Sequence, residues 1–178
     1  MKKIYLAAII LIALLAAAIF AGVKLAPASG AETDYLRIHV RANSNSQEDQ
    51  AVKYIVKDAV VEFITPYAAQ CVDKQSAMQV IGGILKEIKQ VCDKTLKANG
   101  FNYTSKAGVR AEDFPTRNYG DLTLEAGLYD ALIIELGTGT GDNWWCVIYP
   151  PLCFTAASAD VTYRSAIYDI IKKFFGNK

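Results

Sequence analysis

Apolar and polar positions change their spacing several times along this chain, and each spacing predicts an element. Ile4 to Val23 is an uncharged apolar run of 20 residues. From Asp34 to Arg41 the chain alternates: Leu36, Ile38 and Val40 take one side, Arg37, His39 and Arg41 the other, as in a half-buried strand. Val52, Ile55, Val56, Ala59, Val60, Phe63 and Ile64 then recur at helical spacing as a core-facing stripe. Ser46 is the predicted N-cap, with Asp49 three residues on, and Pro66 the predicted end. A second helix is predicted from Asp73 to Lys97, with Ala77, Ile81, Ile84, Leu85, Ile88, Val91, Cys92 and Leu96 on one face and Asn99-Gly100 as its stop. Gly82-Gly83 weakens its middle by about 1 kcal/mol per glycine, and marks either close packing against the first helix or a local bend.

From Phe101 the period becomes two. A strand is predicted to end near Arg110, with a loop through Asp113 to Arg117. Tyr119–Leu124 and Leu128–Leu136 read as strands joined at Glu125-Ala126-Gly127, and Trp144–Tyr149 completes a β-meander. Gly137-Thr138-Gly139-Thr140-Gly141 lacks the spacing of a dinucleotide loop and is followed by a strand, so it reads as a flexible hairpin loop. Ala159 to Phe175 returns to helical spacing through Tyr163, Ile167, Ile170, Ile171 and Phe174. The order β-α-α-β-β-β plus a C-terminal helix predicts an α+β fold: a mostly antiparallel four-stranded sheet covered by two helices. Residues 32–155 form one domain in this reading, and 156–178 a C-terminal amphipathic helix that packs on the domain or meets a membrane or partner.

Composition adds a compartment. Met1-Lys2-Lys3, the apolar run, Pro27 and the small residues Ala28 to Ala31 make residues 1–31 a secretory signal or an N-terminal membrane anchor. Either one places the body outside the cytoplasm. Without Lys2, Lys3 and Lys24 the 19 basic residues fall to 16 against 18 acidic ones, which gives no reason to expect nucleic acid. Partners are to be sought by shape and apolar contact.

Chemistry-bearing residues are sparse. His39 is the only histidine, and alone on a polar strand face it reads as an exposed residue. No Cys/His spacing suits a metal, and no cofactor or small-molecule substrate is expected. The loop Ala42-Asn43-Ser44-Asn45-Ser46 reads as a cap, with anion binding at the helix start as the less economical option. A secreted cell-wall hydrolase would need a carboxylate pair such as Glu112 with Asp113 or Asp121 with Glu125. Cys92 falls on an apolar stripe as a buried thiol, with a Cys71–Cys92 bond the alternative in an oxidising space. The stretch Asn143 to Phe154 holds both tryptophans and two cysteines around Pro150-Pro151. An exported protein favours a Cys146–Cys153 disulfide. Trp144, Trp145, Tyr149 and Phe154 are the candidate partner-binding residues, because tryptophan and tyrosine are rich in interface hot spots. The same tryptophans equally suit a core that stiffens the corner.

The chain resembles the stage II sporulation protein R family of endospore-forming bacteria. The resemblance is carried by His39-Val40-Arg41-Ala42-Asn43-Ser44-Asn45-Ser46 with Glu48-Asp49-Gln50, Val56-Lys57-Asp58-Ala59-Val60, Phe114-Pro115-Thr116, Tyr119-Gly120-Asp121 and Leu124 to Leu132. Most specific is Asn143-Trp144-Trp145-Cys146-Val147 followed by Pro150-Pro151-Leu152-Cys153-Phe154. The resemblance implies a non-enzymatic signal, made in the forespore and exported into the space between forespore and mother cell. There it would act on the extracytoplasmic part of a membrane-embedded aspartic protease, stage II sporulation protein GA, which processes the precursor of mother-cell sigma factor E. The tail after Phe154 matches little of the family.

Overall fold

The structure is a computed structural model that describes residues 33–120 and 122–154, with only the backbone of Phe154. In chain order it comprises β1 (Leu36–Arg41), α1 (Gln47–Ala68), α2 (Lys74–Gly83), α3 (Leu85–Ala98), β2 (Ser105–Phe114), β3 (Arg117–Tyr119), β4 (Leu122–Leu124), β5 (Gly127–Leu136), β6 (Asn143–Tyr149) and a 3-10 turn, Leu152–Phe154. The predicted signal or anchor and the C-terminal helix lie outside the described residues.

The α+β class holds, with the three α-helices of the described residues on one face of a four-stranded sheet of order β2-β5-β1-β6. Its β2–β5 and β1–β6 pairs are antiparallel, but the central β1–β5 pair is parallel, aligning Arg37 with Ala131 and Arg41 with Glu135. The sheet is therefore mixed, and the expected meander is not formed. β1 inserts between β5 and β6, which are not neighbours. Ala131 to Ile134 is a continuous apolar run, the pattern of a strand covered on both faces, and it takes a central place accordingly. The predicted Tyr119–Leu124 strand is instead split at Gly120, whose φ of +64° suits glycine, into half of a separate β3–β4 hairpin. β2 starts at Ser105 and runs on to Phe114, two residues into the expected loop.

Local signals placed the starts of α1 and α2 well. Ser46 caps α1, accepting from Asp49 N at 3.2 Å. α1 runs two residues past Pro66, and its apolar stripe shifts: Val52, Val56, Val60, Val61, Ile64 and Ala68 are buried, whereas Ile55 is 45% exposed. The second predicted helix is two. Asp73 and Ser76 form a capping box at the start of α2, and the chain breaks at Ile84 between α2 and α3. A Cβ on Gly82 or Gly83 would meet nothing within 4 Å, so the glycines permit a bend and are not needed for close packing. Cys71 and Cys92 are both buried free thiols, which excludes the bond between them, and burial pushes the Cys92 thiol up to about 12.

The glycine-rich segment after β5 is not a free hairpin loop. Thr138 N donates to Asn43 Oδ1 at 3.0 Å, Thr140 Oγ1 to Asn43 O at 2.9 Å and Asp142 N to Asn45 Oδ1 at 2.6 Å. Lys53, buried on α1, reaches Asp142 O at 3.1 Å and Gln50 Oε1 at 2.7 Å. A Cβ on Gly141 would overlap the Ser44 carbonyl, so glycine is required there for close approach. Asn43 Nδ2 and Ser44 Oγ in turn donate to Asp49, which also accepts from Tyr103. Burial alone would raise the Asp49 carboxyl; these three donors outweigh it and hold it below its ordinary range. The Asn/Ser loop thus serves capping and latching.

Candidate functional site

β1 divides the molecule. Leu36, Ile38 and Val40 enter the helix-side core, while Arg37, His39 and Arg41 enter the other face. The alternation was legible, but the exposure expected for the second face was not. Arg37 is 0% and His39 4% exposed, because the β3–β4 hairpin, Phe114, Tyr129 and Trp145 form a second, smaller core over them. A strand pattern records which residues share a face, not what later covers it.

His39 stacks on Trp145, with ring centroids 5.3 Å apart, and meets Phe114 edge-on at 5.7 Å. Its Nδ1 lies 2.7 Å from Glu112 Oε1. Burial disfavours the imidazolium and holds His39 below its ordinary value, against the opposing pull of Asn143 and Glu112. Neutral His39 is then the donor to Glu112. Arg41 Nη2 reaches the same oxygen at 2.5 Å, and Arg41 Nη1 and Arg110 Nη2 each reach Glu135 Oε1 at 3.0 Å. Burial would raise the Glu112 carboxyl, but His39 and Arg41 together hold it below the usual carboxylate range. With His39 neutral, Arg41 supplies the charge. Glu112 is therefore held as a carboxylate, and Asp113, the next residue on β2, leaves from the opposite side of the strand. That pair does not converge on a scissile bond. Asp121 of the other proposed pair lies outside the described residues, and Glu125 accepts from Thr116 Oγ1 at 3.3 Å in a turn.

The three candidate contact residues whose side chains are described do not form one patch. Trp144 and Trp145 leave opposite faces of β6, an edge strand. Trp144 packs partly on the helix-side core with Lys57 Nζ 5.3 Å from its ring, and Trp145 is sandwiched between His39 and Arg117, whose Cζ stands 4.1 Å from the ring. Tyr149 is 6% exposed and donates its hydroxyl to Val72 O at 2.7 Å. The side chain of Phe154 is outside the description. Cys146 and Cys153 are joined in a disulfide that ties β6 to the 3-10 turn beyond the two prolines. Sequence reasoning missed Arg37, Arg41, Glu112, Arg117 and Tyr119 as one assembly. The available clue was the excess of aromatic residues and arginines in strands predicted as polar on one face.

Among known proteins, the model of the family described as stage II sporulation protein R matches residues 32–159. Stage II sporulation protein R of Bacillus subtilis (strain 168) is 40% identical over 119 residues, covering 67% of this chain and 53% of that protein. The chain spans about half the length of that curated relative. No solved structure matches it. The matched span takes in β1 through the 3-10 turn, with the latch, the buried Arg/His face and the disulfide-closed corner between its ends, so the chain belongs to the stage II sporulation protein R family.

Proposed function

We propose that the chain is an exported sporulation signal that activates a membrane-embedded aspartic protease, stage II sporulation protein GA, and so leads to processing of the sigma factor E precursor. The observation that carries this reading is family membership across the whole described domain. The basic, apolar and small-residue order of residues 1–31 supports export. A signal of this kind works by binding one state of its receptor better than the other, since only differential affinity shifts an equilibrium. In this reading the contact surface lies along edge strand β6, where Trp144 and Trp145 stand on opposite faces, and Tyr149 supports it from within.

The test is reconstitution in vegetative cells. The chain is co-expressed with the membrane protease and the sigma precursor, with and without residues 1–31, and precursor cleavage is followed by immunoblot. Cleavage that depends on the exported form is expected. Equal cleavage without the chain, or with its cytoplasmic form, sinks the reading. Trp144→Ala and Trp145→Ala are then measured for folding and for cleavage separately. Loss of cleavage in a folded variant marks a contact residue, and loss only with unfolding removes that residue from the surface.

A further inference from the structure

The charged groups buried on the helix side of the sheet find hydrogen-bond or ion-pair partners, Asp130 Oδ2 by the ion pair alone. Lys53 Nζ is held by Gln50 and Asp142 O, Asp49 by Asn43, Ser44 and Tyr103, and Asp130 by Lys74 Nζ at 2.6 Å. Arg37 differs. It is fully buried, its Nη2 donates to Tyr119 Oη at 2.8 Å, and its Nε and Nη1 have no partner. Its Cζ instead stands 4.1 Å from the Phe114 ring centroid, 4.7 Å from Tyr129 and 5.9 Å from Tyr119. No ion pair of Arg37 with a carboxylate is found among the described residues. A guanidinium in low dielectric with a single neutral acceptor is a costly arrangement, and the rings offset only part of that cost. Trp145 Nε1 and His39 Nε2, on the same face, are also buried without a partner.

The open donors have a definite chemistry. Nη2 together with Nε forms one planar fork of a guanidinium, and Nη2 with Nη1 the other; each matches the two oxygens of a carboxylate. The Tyr119 hydroxyl takes one of the two N–H groups on the nitrogen that both forks share, and so blocks the fork to which that N–H belongs. A carboxylate taking its place exchanges one hydrogen bond to a neutral acceptor for two to an ionised one. The cover that would have to move is the β3–β4 hairpin. It shares a ladder only within itself and none with the four-stranded sheet. Side chains hold it down: Tyr119 on Arg37, Arg117 over Trp145, and Leu122 and Leu124 in the small core. Such an element can lift without breaking a sheet ladder.

We propose that Arg37 is the centre of a carboxylate-binding site roofed by the β3–β4 hairpin, in which the ligand's carboxylate displaces the Tyr119 hydroxyl. The carboxylate is either a free small molecule or an acidic side chain presented by another protein, and the arms of the experiment separate these sources. The 15N-labelled full chain in detergent is titrated with acetate, against chloride at equal ionic strength, while the Arg37 Nε–H and Trp145 Nε1–H resonances are followed. Saturable shifts with acetate and none with chloride are expected. Arg37→Lys, which keeps the charge but loses the fork, weakens binding about tenfold or more, and Tyr119→Phe, which removes the competing hydroxyl, tightens it by about as much. The second variant keeps the test decisive if Arg37 variants fail to fold. A short glutamate-rich peptide that binds far more tightly than acetate, while its glutamine analogue does not bind, assigns the site to a protein partner. Equal affinity of peptide and acetate assigns it to a free carboxylate. Absence of saturable shifts, or an unchanged affinity in Tyr119→Phe, overturns the site. So does an Asp121→Asn variant that alone reproduces the Arg37→Lys spectrum, since the carboxylate would then be the chain's own.

Discussion

The two faces of the central sheet use the same strands and solve opposite problems. The helix face stacks Ile38, Val40, Leu132, Ile134 and Ile148 against Val56, Ile64, Ile81, Ile88 and Leu96, an apolar interior whose stability comes from area removed from water. The hairpin face buries Arg37 and His39 among Phe114, Tyr129 and Trp145, with Glu112 half-buried beside them, and leaves polar atoms of Arg37, His39 and Trp145 unpaired. Buried charge adds little stability and often costs some. The comparison teaches that the first face holds the domain together, while the second carries chemistry that folding alone does not call for.

The largest effect expected is on the helix face. Ile38→Ala should cost about 2–5 kcal/mol in urea unfolding, through lost transfer energy and the cavity left behind. A cost below about 1 kcal/mol would mean this face is not the stabilising one. Next comes the corner where the two faces meet. Replacing Cys146 and Cys153 together by Ser reopens a loop of sequence separation 7, and chain entropy puts the loss at about 2–3 kcal/mol. Adding reductant to the wild type should produce the same drop, and no drop would show the bond is not formed in solution.

A smaller effect, of opposite sign, is expected for Arg37→Met. An apolar side chain of similar length in this aromatic cage should leave stability unchanged or raise it by about 1 kcal/mol. A loss above about 2 kcal/mol would erase the distinction between the faces. The smallest effect is the pH dependence. His39 is held below its ordinary value, so the unfolded chain takes up a proton first as pH falls. Stability therefore drops from about pH 6.5 downward until folded His39 is protonated as well. Glu112, held below the usual carboxylate range, contributes stability at neutral pH that is lost only at more acidic pH. His39→Gln should remove most of the slope between about pH 7 and 5 and leave the acidic limb. An unchanged slope would point to another group.

How far the chain could be read depends on the range over which each signal acts. The Ser46 cap, the Asp73 start and the alternation of β1 are contained within a few residues, and the structure keeps all three. Gly82-Gly83 announced a weak point that became the break between α2 and α3. Cys146 and Cys153 are close enough in sequence for their proximity to follow from the chain itself. The assembly around Arg37 drew on β1, β2, β3, β5 and β6, whose members are up to about a hundred residues apart in a chain that compacts only on folding. No window of sequence contains it.

By itself the sequence determined where α1 and α2 begin, which side chains share a strand face, and which family the ordered motifs belong to. Those depend on local dihedral preference and on periodicity. Only the tertiary structure decided that β1 lies between β5 and β6, that Tyr119 to Leu124 folds into a hairpin over Arg37, and that Lys53, Asn43 and Gly141 close a latch. Strand partners are chosen by competition among all strands for hydrogen bonds and burial. A residue's polarity records its cost in water, but whether it ends up in water is settled by what packs on top of it.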